Sequence, residues 1–274
     1  TPIKSSAASD VYKRQNMKHL LYTVAILLMA ASCSNEEMEQ VTGSGKAKMQ
    51  FRLSTSECPV QIVTRATPVP DVDKFVICIT NKETGEEIEK DTLHILEANS
   101  PLYLPAGTEG VTYTVKAYSN ELEDVVLDKP CFYAEKDTLV LPNETVTVKL
   151  ECSLQQFQVS FVPSAAFMSA FRSDDKVDEE AGQKKFSMTV SDANGRSEKY
   201  NYTNLDKSAY FDANLSSSYI KIHVEGTTIK GFPVDYTETI TPKDGSLTAK
   251  DHLIINLEVA ESQSLNIKAT QIEL

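Results

Sequence analysis

The 274-residue sequence has no tryptophan, only four histidines and ten glycines, and no apolar run long enough to span a bilayer. Without tryptophan the strongest stacking platform for sugars is missing, and only the eleven tyrosines remain for that task. No Gly-x-Ser-x-Gly elbow, HExxH, Walker loop or paired CxxC occurs, so the local signatures of serine hydrolases, zinc proteases, phosphate-loop enzymes and zinc ribbons are absent. Positive charge is also short: 27 Lys and Arg stand against 39 Asp and Glu, for a net charge of −12. The first 32 residues carry Lys4, Lys13, Arg14 and Lys18 against Asp10 alone, so the remainder is more acidic than the whole. Such a chain has little with which to displace counterions from a phosphate backbone, which excludes nucleic acid as the expected partner. The 41% hydrophobic and 24% charged fractions exclude bulk disorder, collagen and a multi-span membrane protein.

What is present begins with an address. Residues 1–16 precede a complete export signal, which needs its basic end at the N-terminus, and SSAASDVYKRQ resembles translated adapter read-through. The protein proper is therefore expected to start at Met17. Lys18 and His19 form a short basic region, and Leu20–Ala31 is a twelve-residue apolar run of signal-peptide length. The run closes on Ala30-Ala31-Ser32-Cys33, which resembles a bacterial lipobox. That resemblance implies that 17–32 is a signal peptide, that cleavage falls before Cys33, and that Cys33 carries acyl chains binding outer-membrane lipid. Ser34, Asn35, Glu36 and Glu37 follow, an acidic stretch resembling the Bacteroidetes signal for export to the outer cell surface. Polar acidic runs do not fold alone, so 33–45 reads as a solvated tether.

From Lys46 onward, short alternating runs are cut by turn residues, the pattern of strands. The expected strands are 47–53, 60–64, 74–80, 92–96, 111–118, 138–141 and 145–152, then 157–162, 185–191, 199–202, 219–224, 234–240, 253–259 and 265–269. Only 165–172 reads as helical, with Phe167 and Phe171 one turn apart and Ser164 as cap. A weak repeat aligns FVICITNKETGEEI with FSMTVSDANGRSEKY, YTVKAYSN with YIKIHVEG, and TVTVKLEC with HLIINLEV, at offsets of 106 to 111 residues. Two tandem β-sandwiches fit that spacing, over 46–153 and 154–274.

VTRATPVPDVDKFVICITN, PLYLPAGTEGVTYTVKAYSN and VTVKLECSLQQFQVSFV resemble a Bacteroidales surface lipoprotein family of unassigned function, similar in layout to fimbrillin-like proteins. The resemblance implies an all-β fold of two transthyretin-like (Greek-key) sandwiches with one short helix. It further implies processing between Arg65 and Ala66 and assembly with other copies or fimbrial subunits by strand exchange. Ser264–Ala269 alternates and is the expected donor strand.

Chemistry-bearing residues are few. His94, His223 and His252 stand isolated and are expected to be structural. The run Asp174–Glu180 lacks the Asp/Asn-Gly order of a calcium loop and is expected to be a solvated connection. Cys58, Cys78, Cys131 and Cys152 admit three disulfide pairings, but Cys78 and Cys152 lie in apolar strands, so buried thiols are favoured. Thr92 and Thr138 lie in Asp-Thr-Leu triplets resembling a Bacteroidetes O-glycosylation sequon. No catalytic residue, metal site or cofactor is expected. The leading expectation is a lipid-anchored adhesin or fimbria-like subunit acting by protein-protein contact. The alternative is a non-catalytic module capturing glycan or host protein, with an enzyme third.

Overall fold

The computed structural model describes residues 45–56, 70–171, 176–259 and 265–273. The first half runs through β1 (Lys46–Thr55), a 3-10 turn at Val72–Lys74, β2 (Val76–Asn81), β3 (Glu87–Thr92), α1 (Leu93–Ala98) and β4 (Leu102–Pro105). It continues with β5 (Val111–Tyr118), β6 (Val125–Leu127), β7 (Phe132–Val140) and β8 (Thr145–Leu154). The second half runs through β9 (Gln156–Pro163), α2 (Ala165–Ala170), β10 (Ser187–Asp192), β11 (Ser197–Asn201) and β12 (Ala209–Asp212). It ends with β13 (Ile220–Thr227), β14 (Pro233–Ile240), β15 (Asp251–Val259) and β16 (Leu265–Glu273). The fold is all-β, with sheets packed face to face over two hydrophobic cores.

Sheet order carries an internal repeat. A seven-stranded sheet has the order β3-β2-β5-β7-β8-β1-β4, and two further sheets have the orders β11-β10-β13-β14 and β16-β15-β9-β12-β6. Strand for strand, β3-β2-β5-β7 matches β11-β10-β13-β14, and β8-β1-β4 matches β15-β9-β12. β1 lies parallel to β8 and antiparallel to β4, just as β9 lies parallel to β15 and antiparallel to β12. Two strands break the repeat. β16 adds antiparallel to β15, and β6 leaves the first half to pair with β12.

Alternation explains the cores. β5 buries Tyr113, Val115 and Ala117 in the first core, and β13 buries Ile220, Ile222 and Val224 in the second. Asn81 and Asp192 shape the equivalent hairpin turns, each accepting two backbone N–H groups of its own loop on Oδ1. Gly85 and Gly195 supply the left-handed residue of each turn, at φ 72° and 80°. Ser164 caps α2 through the Phe167 N–H at 3.1 Å, and Phe167, Phe171 and Phe186 form one ring cluster.

Three expectations need correction. Residues 92–96 are not a strand: Thr92 ends β3, and α1 follows because Leu93 and Leu96, three apart, are both buried while His94 and Ile95 face out. Among the described residues there are therefore two short α-helices where one was expected. Cys78 is not a core residue. Ile77 and Ile79 take the inward positions of β2, and a period of two leaves Cys78 on the outer face. β3, β4, β6 and β12 were not anticipated, being short or, in β3, almost wholly polar.

Candidate functional site

β1 occupies a slot whose two walls are β4 and β8. Eight residues, Lys48 to Thr55, pair parallel with Thr145 to Cys152 of β8, and Lys46 to Met49 pair antiparallel with β4. The Asn143 N–H donates to the Lys46 carbonyl at 2.9 Å, and the Ser56 N–H donates to the Cys152 carbonyl at 2.9 Å, closing both ends of the slot. Ala47 and Met49 are fully buried, and Phe51 and Leu53 pack against the same core. One strand thus satisfies two rows of backbone groups and fills alternate apolar pockets, the arrangement that β-augmentation uses.

The two cores meet across a polar seam. β9 is buried on both faces: Phe157, Val159 and Phe161 enter the second core, while Gln156, Gln158 and Ser160 point the other way. Gln156 Oε1 accepts from the Cys131 N–H at 2.7 Å, and Gln158 Nε2 donates to Ser208 Oγ at 3.0 Å. The Ser208 N–H in turn donates to Asp128 Oδ1 at 2.8 Å. On the same sheet Tyr210 belongs to the first core, and β6 sends Val126 to the first core and Val125 and Leu127 to the second.

Ser160 Oγ and His252 Nε2 lie 2.7 Å apart, a hydroxyl-imidazole pair of the kind nucleophilic enzymes use. Ser160 and His252 are 4% and 7% exposed, so no substrate reaches the pair in this state. Burial alone pulls the His252 pKa down to about 4, which keeps the imidazole neutral. His94 is exposed on α1, and His223 hydrogen-bonds Thr237 on an outer face. Among the described residues no cluster of three His, Cys, Asp or Glu side chains could hold a metal ion, and no helix is long and apolar enough to cross a membrane.

Cys78, Cys131 and Cys152 are free thiols. Burial pushes Cys131 up to about 11 and Cys152 up to about 12, so both stay protonated at neutral pH. Thr138 Oγ1 is buried with no hydrogen-bond partner, whereas Thr92 is half-buried at the β3–α1 corner and makes no capping bond with its hydroxyl. Leu265–Glu273, which contains residues 265–269 of the expected donor segment, is docked as β16 along all of β15, and Ser264 lies outside the described residues. Cys33, Ser34, Asn35, Glu36, Glu37, Cys58, Arg65, Ala66, Asp174 and Asp175, with the signal peptide and the strand expected at 60–64, lie outside the described residues.

The seam was invisible to sequence reasoning because Gln-Phe-Gln-Val-Ser-Phe reads as a strand with one wet face. Only the partner half shows that the polar face is buried.

Solved structures similar to this chain include proteins from Bacteroides species. A candidate cell adhesion protein from Bacteroides uniformis shares 9% identity over 84% of this chain and 98% of its own, at a TM-score of 0.41. One from Bacteroides eggerthii shares 6% over 84% and 96%, at 0.43. A candidate polysaccharide-binding protein from Bacteroides thetaiotaomicron shares 11% over 83% and 98%, at 0.35. No curated protein sequence matches the chain. The family model for a domain of unknown function, DUF4493, matches residues 45–274, and the chain belongs to that family.

Proposed function

We propose that this protein is anchored in the outer membrane by lipid on Cys33, faces the cell exterior, and works by contact as an adhesin or fimbria-like structural subunit, not as an enzyme. The observation that carries the reading is the slot of β1. The first strand, preceded in sequence by a lipobox-like cysteine and followed by Arg65, fills a groove of the kind that takes an extended segment from another chain. The enclosure of Ser160 and His252, the one hydroxyl-imidazole pair of the seam, supports contact over catalysis. A second reading, capture of a glycan or host protein, is favoured by the exposed cations of β1 and β8.

The test works on cells. Cys33→Ala is expected to abolish labelling by palmitate analogues and release the protein from the membrane fraction. Protease added to whole cells is expected to digest the wild type. With Asn35, Glu36 and Glu37 changed to Ala, the protein should stay membrane-bound but protected. Labelling that survives Cys33→Ala, or a protected wild type, overturns the reading.

A further inference from the structure

The outer face of β1 carries Lys46, Lys48 and Arg52 on alternate positions, and Lys149 of β8 stands directly opposite Arg52. Lys46, Arg52 and Lys149 are exposed, and Lys48 is half-buried with its ammonium 5.7 Å from the ring centre of Tyr103 on β4. Some cations elsewhere sit in ion pairs: Lys82 with Asp137, Lys116 with Glu135, Lys185 with Glu179, Arg196 with Asp192, Lys268 with Glu258. The four on this face make no ion pair with any described residue. What sets the four apart is their gathering. The chain has a net charge of −12, so unpaired cations gathered on one face run against its composition. Moreover, like charges directly across a ladder destabilise a sheet, and Arg52 opposite Lys149 is such a pair. An external anion meeting both side chains relieves the repulsion between Arg52 and Lys149.

Shape selects the class of anion. At about 3.3 Å per residue, Lys46 to Arg52 spans roughly 20 Å along the strand. The row is only two strands wide, and Glu151 stands on the same face of β8 beyond Lys149. A line of cations bordered by a carboxylate fits a single chain of charges better than a charged plane such as a membrane. Tyr103, 45% exposed at the Lys46–Lys48 end, offers a ring face to a sugar. We propose that the outer face of β1 and β8 binds a linear anionic polysaccharide, with Lys46, Lys48, Arg52 and Lys149 meeting its carboxylate or sulfate groups and Tyr103 stacking on a ring. The site deepens the glycan-capture reading given above and is independent of lipid anchoring. Because it sits on β1, it belongs to the chain uncut at Arg65.

The experiment titrates the purified full-length chain with heparin and polygalacturonate at low salt, with neutral dextran as control. Binding is expected to the two polyanions only, and to weaken about tenfold or more between roughly 50 and 200 mM salt, as screened exposed charges require. Lys48→Gln, Arg52→Gln and Lys149→Gln together are expected to weaken it about tenfold or more with a thermal transition that is not lowered, since all three side chains reach solvent and the change removes a like-charge pair. Lys116→Gln with Lys185→Gln, on other faces, is expected to leave it intact. Tyr103→Ala should weaken polygalacturonate binding without changing the salt dependence.

No binding, equal binding of dextran, or equal binding by the triple variant overturns the proposal. So does preference for anionic lipid vesicles or duplex DNA over both polysaccharides. Binding that appears only after Glu36, Glu37 and Glu39 are changed to Gln shows that the chain's own acidic segment is the occupant, and also overturns it. Loss of membrane anchoring in the Cys33→Ala variant with polyanion binding retained separates this proposal from the anchoring reading.

Discussion

Arg196 closes on Asp192 four residues back, its Nε at 2.9 Å and its Nη2 at 2.5 Å from the same Oδ2 of a fully buried carboxylate. Its guanidinium also donates to the carbonyls of Asp212 and Leu215 and lies 5.9 Å from the centres of the stacked Phe157 and Phe211 rings. One side chain thereby ties the β10–β11 turn to β12, β9 and the loop before β13. Burial acts to raise the Asp192 pKa, but bonds from Arg196 and Asn194 outweigh it and hold the carboxyl below its ordinary value.

Asp192→Ala leaves Arg196 charged and nearly enclosed without its partner, so urea unfolding is expected to show a loss of about 3–5 kcal/mol. Because the folded-state pKa is lowered, the pair's contribution is present above the ordinary carboxylate range and is lost as pH falls through the folded value. A loss below about 1 kcal/mol would mean that the turn does not depend on the pair.

His252 gives a second pH dependence, at milder acidity. Its pKa in the folded chain is about 4, against an ordinary 6.5, so the unfolded chain takes up the proton first as pH falls. Stability is full above pH 6.5 and declines between 6.5 and 4, by about 2 kcal/mol at pH 5 for that size of shift. Urea midpoints at pH 7.5 and pH 5 measure it, and His252→Gln is expected to flatten the difference. A wild-type midpoint that does not move over that range contradicts the buried neutral state.

How much of this was legible in the sequence follows from what alternation can report. Residues 111–118 appear unchanged as β5, because Tyr113, Val115 and Ala117 alternate cleanly with polar partners. The repeat was legible too, since equivalent strands have equivalent inward faces. Alternation says nothing about what covers the other face, so Gln156, Gln158 and Ser160 read as solvent-facing although that face of β9 is buried as well. Nor does it separate Leu93-His94-Ile95-Leu96 as strand from a helical turn, where both spacings bury a leucine. Lys46, Lys48 and Arg52 alternate visibly, but their like-charged neighbour Lys149 comes from a strand about a hundred residues later, and only the register brings them together.

The bridge between the cores makes the second half dependent on the first. A fragment of residues 154–274 lacks β6, leaves the β12 edge unpaired, and exposes Tyr210, Gln156 and Gln158. We expect it to unfold at a lower urea midpoint than the whole chain, which itself should show one transition by circular dichroism and tyrosine fluorescence. Tyr210→Ala in the whole chain should cost about 3–5 kcal/mol as a core aromatic deletion. A fragment as stable as the parent would show that β6 and the seam contribute nothing.

Glycosylation of the folded chain, if it occurs at either Asp-Thr-Leu triplet, is expected at Thr92 and not Thr138. The Thr138 hydroxyl is shut in the interior, and a transferase needs its acceptor oxygen in solvent. Intact mass of protein purified from its native envelope measures the outcome. Thr92→Ala should remove the added mass while Thr138→Ala leaves it, and the reverse result would place modification before folding.

Cleavage after Arg65 is the prediction on which assembly turns. Arg65-Ala66 is followed in sequence by Pro68 and Pro70, and proline has no N–H to give a ladder, a sequence suited to a protease cleft. A cut there leaves β1 held through its pairing with β4 and β8 and its burial of Ala47, Met49, Phe51 and Leu53. At roughly 25 cal/mol per Å² of apolar surface, filling that slot is strongly favourable, so an empty slot seeks a replacement strand. The donor cannot be a free tail of the folded chain, because β16 already pairs with β15 over nine positions and must detach to leave its own sheet. Treatment with an Arg-specific protease is expected to yield a fragment beginning at Ala66, and mild denaturant that loosens β1 and β16 should then convert it to higher oligomers. Deleting residues 265–274 should leave cleavage intact but block those oligomers. Resistance at Arg65, or oligomers that form as readily without β16, would remove strand exchange by this donor and leave a monomeric tethered protein.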